Sequence, residues 1–402
     1  MDYYEKKEVS TVKIMFSAGE VSGDVHGESL AQSILRLDPA VELIGFGGSR
    51  MEQAGVRLFR NFAEYNVMGV WEVLINLRRI LRLLRELTAF MEQEKPDLLV
   101  LIDYPDFNWR LAKKAKKMGI PVFSYIPPSA WAWRKGRAKD CAKLADEFVA
   151  IFPHELPVYK AAGAKISFVG NPLVDAVRPE LPRARARSYF HIPADKTAVL
   201  LLPGSRKQEI ELLLPAMLQG ARRLQAERPQ TMFLLPVADG IDSSRIREMT
   251  AAAGVSVTLT HEYRYSLMAA ADAAVATSGT VVMEAALLGL PCVVLYRLSP
   301  VSYFVGRLLV HVESFSLPNI LLGKPFEREL LQDAVTAENI ASELAKLYPG
   351  EIHRAEVVAK LKEACARLGT PGASGRVAAK ILAAARRFAA ENNLSGEEHE
   401  KL

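Results

Sequence analysis

The chain has 402 residues, of which 50% are apolar and 24% are charged, and its formal net charge is +5. This length and composition are typical of a globular protein with two domains and a sizeable core. So modest a charge suits a phosphate-bearing substrate or an anionic membrane surface and does not by itself indicate nucleic acid. No apolar run reaches the roughly 18 residues that span a bilayer, and the polar start lacks a signal-peptide core. We therefore expect a cytoplasmic chain.

The cysteines and histidines show no ligand pattern. Cys141, Cys292 and Cys365 lie far apart and form no C-x-x-C pair. Neither a disulfide framework nor a zinc site is expected from such spacing. The seven histidines show no spacing typical of metal ligands, so the sequence predicts no structural metal.

Strand-like and helix-like segments alternate along the chain, which favours an α/β fold with parallel sheets. Six strands are predicted in the first half, at 12–16, 41–46, 98–102, 122–126, 147–151 and 165–169. Five follow in the second half, at 198–202, 232–235, 255–259, 273–277 and 292–296. Beyond Val335 the pattern is helical to about Asn392.

A stretch rich in proline, alanine and arginine at 180–187 has no apolar period, and we place a domain boundary there. The sequence thus predicts a first Rossmann-like domain at 1–180 and a second at 188–345. C-terminal helices and a polar tail follow at 346–402. A cleft between two such domains is the expected place for a ligand.

Gly19, Gly23 and Gly27 follow the first predicted strand, where a helix begins. Glycines at such a place let the backbone approach a ligand closely. Their G-x3-G-x3-G spacing differs from the dinucleotide fingerprint G-x-G-x-x-G, which disfavours an NAD-dependent oxidoreductase. A tight turn with a polar helix cap explains the stretch equally well. Its polar residues favour a polar substrate; they are Ser17, Glu20, Ser22 and Asp24.

An acidic loop follows the third predicted strand, with Asp103 directly after Ile102 and Asp106 three residues later. An acid at the carboxyl end of a parallel strand lies where open α/β sheets bind ligands. A reaction that deprotonates a hydroxyl group needs a base, and a carboxylate can serve. Either acid also suits a helix cap, and Asp106 fits that role better because Asp103 lies nearer the strand tip.

Two strand-to-helix turns in the second half suit a phosphate. Arg206 ends a Leu-Pro-Gly-Ser-Arg turn, and its guanidinium can bind a diphosphate and offset charge on a leaving group. A solvated surface arginine is the alternative. Ser278, Gly279 and Thr280 begin a second helix, where free N–H groups favour phosphate and Glu284 can reach a ribose. Ordinary helix capping explains these residues as well.

The predicted helix at 70–90 is amphipathic and basic. One side carries Val70, Leu74, Leu77, Leu81 and Leu84, and another carries Arg78, Arg82 and Arg85. A basic amphipathic helix suits a membrane surface with anionic lipid. A helix packed on the sheet with solvated arginines explains the same pattern.

Seven stretches resemble the lipid A disaccharide synthase family, in the order and rough spacing of its members. They are SAGEVSGDVHG at 17–27, VMGVWEVL at 67–74, LIDYPDFN at 101–108, SAWAWR at 129–134, LLPGSR at 201–206, ATSGT at 276–280 and SLPNILLG at 316–323. The resemblance implies the GT-B architecture. In that fold two Rossmann-like domains enclose an interdomain cleft, and a C-terminal helical segment returns to the first domain.

The same resemblance implies an inverting glycosyltransferase of lipid A biosynthesis. Such an enzyme joins UDP-2,3-diacylglucosamine to 2,3-diacylglucosamine 1-phosphate (lipid X), and it releases the β-1,6-linked disaccharide 1-phosphate and UDP. We expect no cofactor, and no metal is required if Arg206 and the helix start at Gly279 supply the positive charge for the diphosphate. We expect peripheral attachment to the cytoplasmic face of the bacterial inner membrane and no nucleic-acid partner. The sequence leaves a monomer and a homodimer open.

The resemblance assigns roles to Asp103, Arg206, Asn319 and Gln332, and the residue patterns supply the other candidates. Asp103 and Arg206 match the essential acid and the essential arginine of the family. Ser278, Gly279, Thr280, Glu284, Asn319 and Gln332 join Arg206 as candidates for the donor site. The candidates for the acceptor loop are Ser17, Gly19, Glu20, Ser22 and Gly23. The candidates for membrane and acyl-chain contact are Val67, Met68, Trp71, Arg78, Arg82 and Arg85.

Two other functions remain open. Another UDP-sugar enzyme of the same fold, such as the undecaprenyl-linked glucosaminyltransferase or a nonhydrolysing epimerase, would share a similar nucleotide half. The acidic loop and the basic helix of the first domain favour a glycolipid acceptor instead. A non-catalytic lipid or nucleotide binding module would explain the basic helix but would leave Asp103 and Arg206 without a joint purpose.

Overall fold

The computed structural model describes residues 11–65, 70–130, 136–238, 240–298 and 313–399, with side chains except at 65–77 and 392–399. The chain divides into two compact units. The first comprises Met1–Pro172 and Pro371–Leu402, and the second comprises Leu173–Thr370. Each unit is built around one parallel sheet.

The sheet of the first unit has seven parallel strands in the order β3-β2-β1-β4-β5-β6-β7. They are β1 (Lys13–Ala18), β2 (Glu42–Gly47), β3 (Arg57–Asn61), β4 (Leu98–Ile102), β5 (Val122–Tyr125), β6 (Glu147–Ala150) and β7 (Ile166–Phe168). Every residue of β4 is buried. Such continuous apolar runs are typical of parallel strands that are covered by helices on both faces.

The helices of the first unit lie between these strands, apart from the last helix of the chain. They are α1 (Val21–Leu37), α2 (Ser49–Gln53), α3 (Val70–Glu94), α4 (Pro105–Lys117), α5 (Gly136–Ala142) and α6 (Leu156–Ala161). Two short 3-10 turns accompany them at Phe62–Tyr65 and Pro153–Glu155.

The sheet of the second unit has six parallel strands in the order β10-β9-β8-β11-β12-β13. They are β8 (Thr197–Leu202), β9 (Thr231–Pro236), β10 (Val257–Thr260), β11 (Ala273–Thr277), β12 (Cys292–Tyr296) and β13 (Glu329–Leu331). This order repeats that of the first six strands of the first sheet, and it is the order of the Rossmann fold.

The second unit also contains nine described helices and one 3-10 turn at Gln332–Ala334. The helices are α7 (Leu173–Ala176), α8 (Arg183–Tyr189), α9 (Lys207–Glu227), α10 (Ser243–Ala253), α11 (Arg264–Ala270), α12 (Thr280–Leu287), α13 (Leu317–Leu322), α14 (Ala337–Ala345) and α15 (Ile352–Ala366).

The last helix, α16 (Ala373–His399), belongs to the first unit. Val377 and Ile381 are buried in one apolar cluster with Leu30 of α1. Arg386 also forms an ion pair with Asp38 at 2.6 Å. The burial of this apolar stripe explains why the chain returns to its first half. The predicted return of the C-terminal segment is confirmed.

All eleven predicted strands overlap observed strands, but two strands were not predicted. Both lie at an edge of their sheet. In β3, every residue keeps some exposure, and Arg57 and Arg60 interrupt the apolar pattern. The strand β13 has only three residues. Edge strands are short and partly polar, so apolar periodicity does not reveal them.

The first division of the chain lies after Pro172 and not in the predicted 180–187 stretch. That stretch lacks an apolar period, but ion pairs hold its basic residues inside the second unit. Arg183 and Arg187 contact the carboxylate of Asp272 at 2.7 and 3.3 Å. The stretch at 180–187 therefore lacks an apolar pattern because ion pairs, and not apolar contacts, attach it to the second unit.

The sequence predicted one segment of C-terminal helices at 346–402, but the structure divides these helices between the two units. Within that range α15 belongs to the second unit and α16 to the first. Leu361 and Ala364 of α15 are fully buried, and the helix packs on α12 and α13. The two helices look alike in sequence, and only the partners of their apolar sides distinguish them.

A carboxyl group is buried at the edge of the second sheet. Glu327 is 2% exposed, and its Oε1 accepts the backbone N–H of Cys292 at 3.0 Å. Its Oε2 has no hydrogen-bond partner among the described residues. Burial raises the pKa of Glu327 to about 8, and the nearby Glu329 adds to the rise. The folded protein therefore holds this group protonated at neutral pH.

We expect Glu327→Gln to reduce the loss of stability between acidic and alkaline pH. The pKa of Glu327 is higher in the folded chain than its ordinary value of 4.5, so the parent loses stability as the pH rises from about 4.5 to about 8. Near pH 9 the variant should be more stable than the parent by on the order of 2 kcal/mol, with a smaller difference near pH 5. Denaturant unfolding at both pH values measures this.

The exposed Glu338 supplies the matched control. Glu338→Gln makes the same chemical change on α14, where the carboxylate pairs with Arg223 at the surface. This control should keep the pH dependence of the parent. Parallel stability curves for Glu327→Gln and the parent would contradict the assignment of a raised pKa.

Candidate active site

The candidate residues of the first unit lie where the strand order of its sheet reverses. The strand β1 has β2 on one side and β4 on the other. In open α/β sheets, ligands bind outside the carboxyl ends of the strands at such a point. Gly19 and Glu20 follow β1, and Asp103 follows β4. The fold therefore brings two motifs that are distant in sequence to one edge of the sheet.

Asp103 and Tyr104 both have a left-handed backbone, each with φ near 49°. A residue with a Cβ atom loses about 1–2 kcal/mol in this conformation because Cβ crowds the following carbonyl group. The N–H of Asp103 donates to the carbonyl of Tyr125 at 3.2 Å. Its carbonyl accepts the side-chain amide of Asn108 at 2.7 Å. Backbone strain that is maintained by surrounding hydrogen bonds is concentrated at functional sites.

Gly19 makes room for the ring of Tyr104. A Cβ atom at position 19 would lie 2.2 Å from a ring carbon of Tyr104, which is closer than two carbon atoms can approach. The same ring packs against Phe107 with centroids 5.6 Å apart. Gly19 is therefore required by a close approach of the protein's own tyrosine, and this contact joins the loop after β1 to the loop after β4.

The other candidates for the acceptor loop divide into exposed and buried residues. Glu20 precedes α1, Ser22 lies in its first turn, and both are exposed. Gly23 is buried, and a Cβ atom there would lie 3.2 Å from the nearest side chain of β1. Ser17 is fully buried, and its hydroxyl donates to the side-chain oxygen of Asn108 at 2.7 Å. Only Glu20 and Ser22 present side chains to solvent.

Asp24 has a structural role. Its buried carboxylate accepts the backbone N–H groups of Gly48, Arg50 and Met51 at 2.9, 3.2 and 3.1 Å. These N–H groups lie at the start of α2, where the helix itself provides no acceptor for them. Asp24 thus stabilises the start of α2, and its carboxylate does not face a substrate.

The carboxyl group of Asp103 lies in an acidic environment. Burial raises its pKa above the ordinary value, and the charge of Glu20 adds to the rise. A third acid, Glu155, follows β6 and is 3% exposed. Burial raises the pKa of Glu155 to about 8, and Asp103 contributes to this rise. A carboxylate with a raised pKa is a stronger base, which suits proton transfer near neutral pH.

Asn108 and Glu155 were not predicted as site residues. Asn108 lies in the recognised LIDYPDFN stretch, but an asparagine in a helix gives no sign that it contacts a strand end. Glu155 is an acid soon after a predicted strand, which is the signal that identified Asp103. The predicted strand at 147–151 therefore carried the same signal as the strand before Asp103.

The second unit contains a cavity of about 550 Å³ at the carboxyl ends of β8, β9, β10 and β11. This volume is typical of pockets for small molecules and nucleotides. The cavity is lined by residues 202–206, 236–238, 261–264 and 277–281, together with Glu209, Met268 and Glu284. It lies at the reversal of strand order between β8 and β11, which matches the position of Asp103 in the first sheet.

Arg206 lies at the start of α9 on the wall of this cavity. Its side chain is 81% exposed and pairs with Glu209 at 3.0 Å. An exposed pair of this kind contributes at most about 1 kcal/mol, so an anionic ligand can displace it. Gly204 in the same turn has a φ of 116° and Glu209 fills the space where a Cβ would lie. The turn therefore requires glycine there.

The start of α12 forms another wall of the cavity. Ser278 and Thr280 line it with Gly279, the residue before the helix. The hydroxyl of Ser278 donates to the carbonyl of Phe315 at 3.0 Å, which orders the turn. The first N–H groups of a helix lack partners within it and favour an anion. Glu284 lies one turn further along α12, largely buried, and its carboxylate borders the cavity.

Asn319 and Gln332 do not line this cavity. The oxygen of Asn319 accepts the N–H groups of Phe326 and Glu327 at 2.9 and 3.0 Å. The side chain of Gln332 pairs with both backbone groups of Leu298 at 2.7 and 3.1 Å. Their amides shape loops beside β12 and β13. The structure therefore does not place them with the other candidates for the donor site.

Two further segments of the cavity wall were not predicted. They are 236–238 after β9 and 261–264 after β10. Tyr263 has a left-handed backbone with φ of 51°, and Arg264 contacts Glu284 at 3.5 Å. The run His-Glu-Tyr-Arg after a predicted strand was the available signal. These side chains add aromatic and cationic groups to a nucleotide-sized pocket.

The predicted membrane helix is present as α3, and its described side chains begin at Arg78. Val67 and Met68 lie outside the described residues, and the side chain of Trp71 is not described. Among the described side chains of α3, Leu83, Leu87, Phe90 and Met91 are buried, and Leu84 of the predicted apolar side packs against the same core. Leu81 of that side is 40% exposed, and the side chains of the other three predicted residues, Val70, Leu74 and Leu77, are not described.

Arg78, Arg82 and Arg85 are exposed, as the sequence predicted. They lie on one side of α3, away from Leu83 and Leu87 in the core. No helix in the described part of the chain is both long enough and apolar enough to cross a membrane. The basic side of α3 is therefore accessible, and its arginines are available for an anionic surface.

The family model for lipid-A-disaccharide synthetase matches residues 14–372. The lipid-A-disaccharide synthase of Geobacter sulfurreducens is 41% identical over 370 residues, which cover 92% of this chain and 96% of the relative. The enzyme of the same name from Syntrophus aciditrophicus is 43% identical over 92% of this chain and 97% of the relative.

Solved structures agree with the predicted fold class. A UDP-GlcNAc 2-epimerase from Neisseria meningitidis superposes with a TM-score of 0.61 at 14% identity, over 92% of this chain and 99% of that one. The calicheamicin glycosyltransferase CalG4 gives 0.62, at 15% identity over 94% of this chain and 99% of that one. The likeness confirms the α/β fold with two Rossmann-like sheets that glycosyltransferases of the GT-B type share. From the matched residues and the identity to its relatives, the chain belongs to the lipid-A-disaccharide synthase family.

Proposed function

We propose that the protein transfers 2,3-diacylglucosamine from its UDP derivative to the 6-hydroxyl group of 2,3-diacylglucosamine 1-phosphate. The single observation that carries this is the strained, partly buried Asp103 at the switch point of the first sheet, in a chain of this family. The products are the β-1,6-linked disaccharide 1-phosphate and UDP. Incubation with both substrates, followed by mass spectrometry of the products, tests the proposal.

The cavity of the second unit binds the UDP part of the donor in this proposal. Arg206 and the N–H groups at the start of α12 hold the diphosphate, because both supply positive charge to the same cavity. Glu284 accepts hydrogen bonds from the ribose hydroxyls, and Tyr263 supplies an aromatic wall. As the donor bond breaks, Arg206 and the helix start stabilise the charge that develops on UDP.

Asp103 acts as the general base of the first unit. Its carboxylate takes the proton of the acceptor 6-hydroxyl while that oxygen forms a bond to the anomeric carbon. The bond from this carbon to the diphosphate breaks in the same step, so the configuration inverts. Glu20 follows β1 at the same sheet edge, and its charge helps to keep the pKa of Asp103 raised.

Two other functions remain as outcomes of the same assay. A UDP-sugar epimerase would change the donor in the absence of lipid X and release no disaccharide. A binding module would leave both substrates unchanged. The resemblance to epimerases is one of fold alone at 14% identity, whereas relatives at 41 and 43% identity are named as synthases.

The substrates carry acyl chains, so we propose peripheral attachment to the cytoplasmic face of the inner membrane. The exposed arginines of α3 support this, because anionic lipid attracts basic side chains at a membrane surface. The apolar share of the contact is proposed for Val67, Met68 and Trp71 on sequence grounds. Whether one or two chains form the active enzyme is a separate question that sedimentation can answer.

Asp103→Asn should lower the rate by about 100-fold or more, because the amide cannot accept the acceptor proton. UDP affinity should not change, since Asp103 and the UDP cavity belong to different units. In the parent, the rate should fall as the pH drops through the raised pKa of Asp103 and its carboxylate becomes protonated. Steady-state rates and calorimetry with UDP measure these effects.

Asp106→Asn is the matched control for this change. Asp106 lies in the same loop, but its side chain is 93% exposed and pairs with Arg137 at 2.8 Å. This variant should turn over at nearly the rate of the parent. Near-normal turnover of Asp103→Asn would remove Asp103 from the mechanism.

Arg206→Ala should weaken UDP binding and slow transfer together. The guanidinium contacts the diphosphate in the bound donor and in the transition state, so its loss affects both. We expect about a tenfold or larger loss in each. Arg223→Ala on α9 is the control, because Arg223 forms an exposed ion pair with Glu338. If calorimetry and rates find Arg206→Ala equal to the parent, Arg206 is a surface residue only.

Replacing Arg78, Arg82 and Arg85 together by glutamate should weaken sedimentation with vesicles that contain phosphatidylglycerol. Each arginine contributes on the order of 1 kcal/mol at an anionic surface, and high salt should reduce this part of the binding. The same change at the exposed Arg222, Arg223 and Arg247 of the second unit controls for net charge. Equal sedimentation of the two triple variants would exclude α3 as the membrane contact.

A further inference from the structure

The side chain of Asn108 connects the ends of the two strands that flank the candidate site. It lies in the first turns of α4 and is 1% exposed. Its amide nitrogen donates to the carbonyl oxygens of Ser17 at 3.1 Å and Asp103 at 2.7 Å. Its amide oxygen accepts the hydroxyl hydrogen of Ser17 at 2.7 Å. The side chain therefore uses both its donors and its acceptor on two separate strand ends.

The bond to Asp103 acts on the strained part of the loop. Asp103 and Tyr104 are both left-handed, and the carboxylate of Asp103 also forms a hydrogen bond with the backbone of Tyr104. The side-chain amide of Asn108 binds the carbonyl between these two residues, while the backbone N–H of Asn108 donates to the carbonyl of Tyr104 at 3.1 Å. One residue thus holds both peptide groups of the turn. Strain persists only where surrounding bonds determine it in this way.

Ser17 fixes the orientation of the amide. Its hydroxyl donates to the oxygen of Asn108, and its carbonyl accepts from the nitrogen. An amide rotated by half a turn would bring its oxygen next to the carbonyl oxygens of Ser17 and Asp103 and lose both donated bonds. Buried networks of this kind select one arrangement because each broken bond leaves an unpaired polar group. Ser17 was predicted to contact the acceptor, but in the structure its hydroxyl binds Asn108, which in turn binds Asp103.

We propose that Asn108, oriented by Ser17, is a positioning residue that holds the backbone of Asp103 so that its carboxylate faces the acceptor hydroxyl. This inference rests on the proposed role of Asp103 as the base. Asn108 touches no substrate in this arrangement and acts through Asp103 alone. A residue that only stabilised the fold would affect turnover through the amount of folded protein and not through Asp103.

A double-mutant cycle separates these two roles. Asn108→Ala in the parent should lower kcat by about tenfold or more with little change in the KM for the donor, because a displaced base slows the step that it serves. In the Asp103→Asn background, Asn108→Ala should cost almost nothing further, since the group that it positions is already absent. Ser17→Ala should show the same pattern with a smaller loss. Equal losses in both backgrounds would overturn the proposal.

Asn171 provides the matched control. It is fully buried in the same unit and donates its amide to the carbonyl of Ile151 at 2.8 Å, away from Asp103. Any loss caused by Asn171→Ala should be the same with Asp103 or Asn at position 103. Thermal unfolding of all variants gives the folded fraction by which each kcat is corrected.

Hydrogen exchange tests the same inference without activity. In Asn108→Ala, peptides that span residues 101–107 should exchange faster than in the parent, because the turn loses its bond to Asp103. In Asn171→Ala they should exchange at the rate of the parent. If the parent forms no disaccharide, the proposed function fails, and this measurement still decides whether Asn108 holds the turn. Equal exchange in the two variants would overturn the inference.

Discussion

Asn108 accepts a hydrogen bond from Ser17 on β1 and donates one to Asp103 after β4. These strands are neighbours at the reversal of strand order, where a parallel sheet leaves a gap above its edge. The chain after β4 must turn sharply there, and it does so through two left-handed residues. Gly19 then leaves space for the ring of Tyr104. The geometry of the candidate base depends on this small buried network.

The two units use one topology for opposite electrostatic purposes. In the first, acids surround the switch point, and burial together with Glu20 raises the pKa of Asp103. In the second, Arg206 and the start of α12 provide positive groups around a cavity of about 550 Å³. A glycosyl transfer needs a base for its acceptor and cations for its leaving diphosphate. The two sheets share one strand order, so they offer similar positions for the base and for the cations, and the loops determine the charge at each position.

Much of the fold could be predicted because parallel strands are buried on both faces. Runs such as 98–102 and 292–296 are continuous in apolar residues, and both were predicted with the bounds that the structure shows. The edge strands β3 and β13 carry polar residues and were not predicted. The domain boundary was misplaced for a similar reason, since Arg183 and Arg187 join the second unit through Asp272. Periodicity detects burial of apolar surface and does not detect ion pairs.

The sequence by itself determined the fold class, the family and the two loops that carry Asp103 and Arg206, because motifs at strand ends keep their order and spacing. Only the tertiary structure decided which polar residues face solvent. Ser17 and Asp24 resemble Glu20 and Ser22 in the sequence, yet their side chains are used inside the protein. Asn319 and Gln332 likewise bind their own backbone. The physical reason is that a buried polar group must find a partner, and that partner comes from a distant part of the chain that local sequence does not reveal.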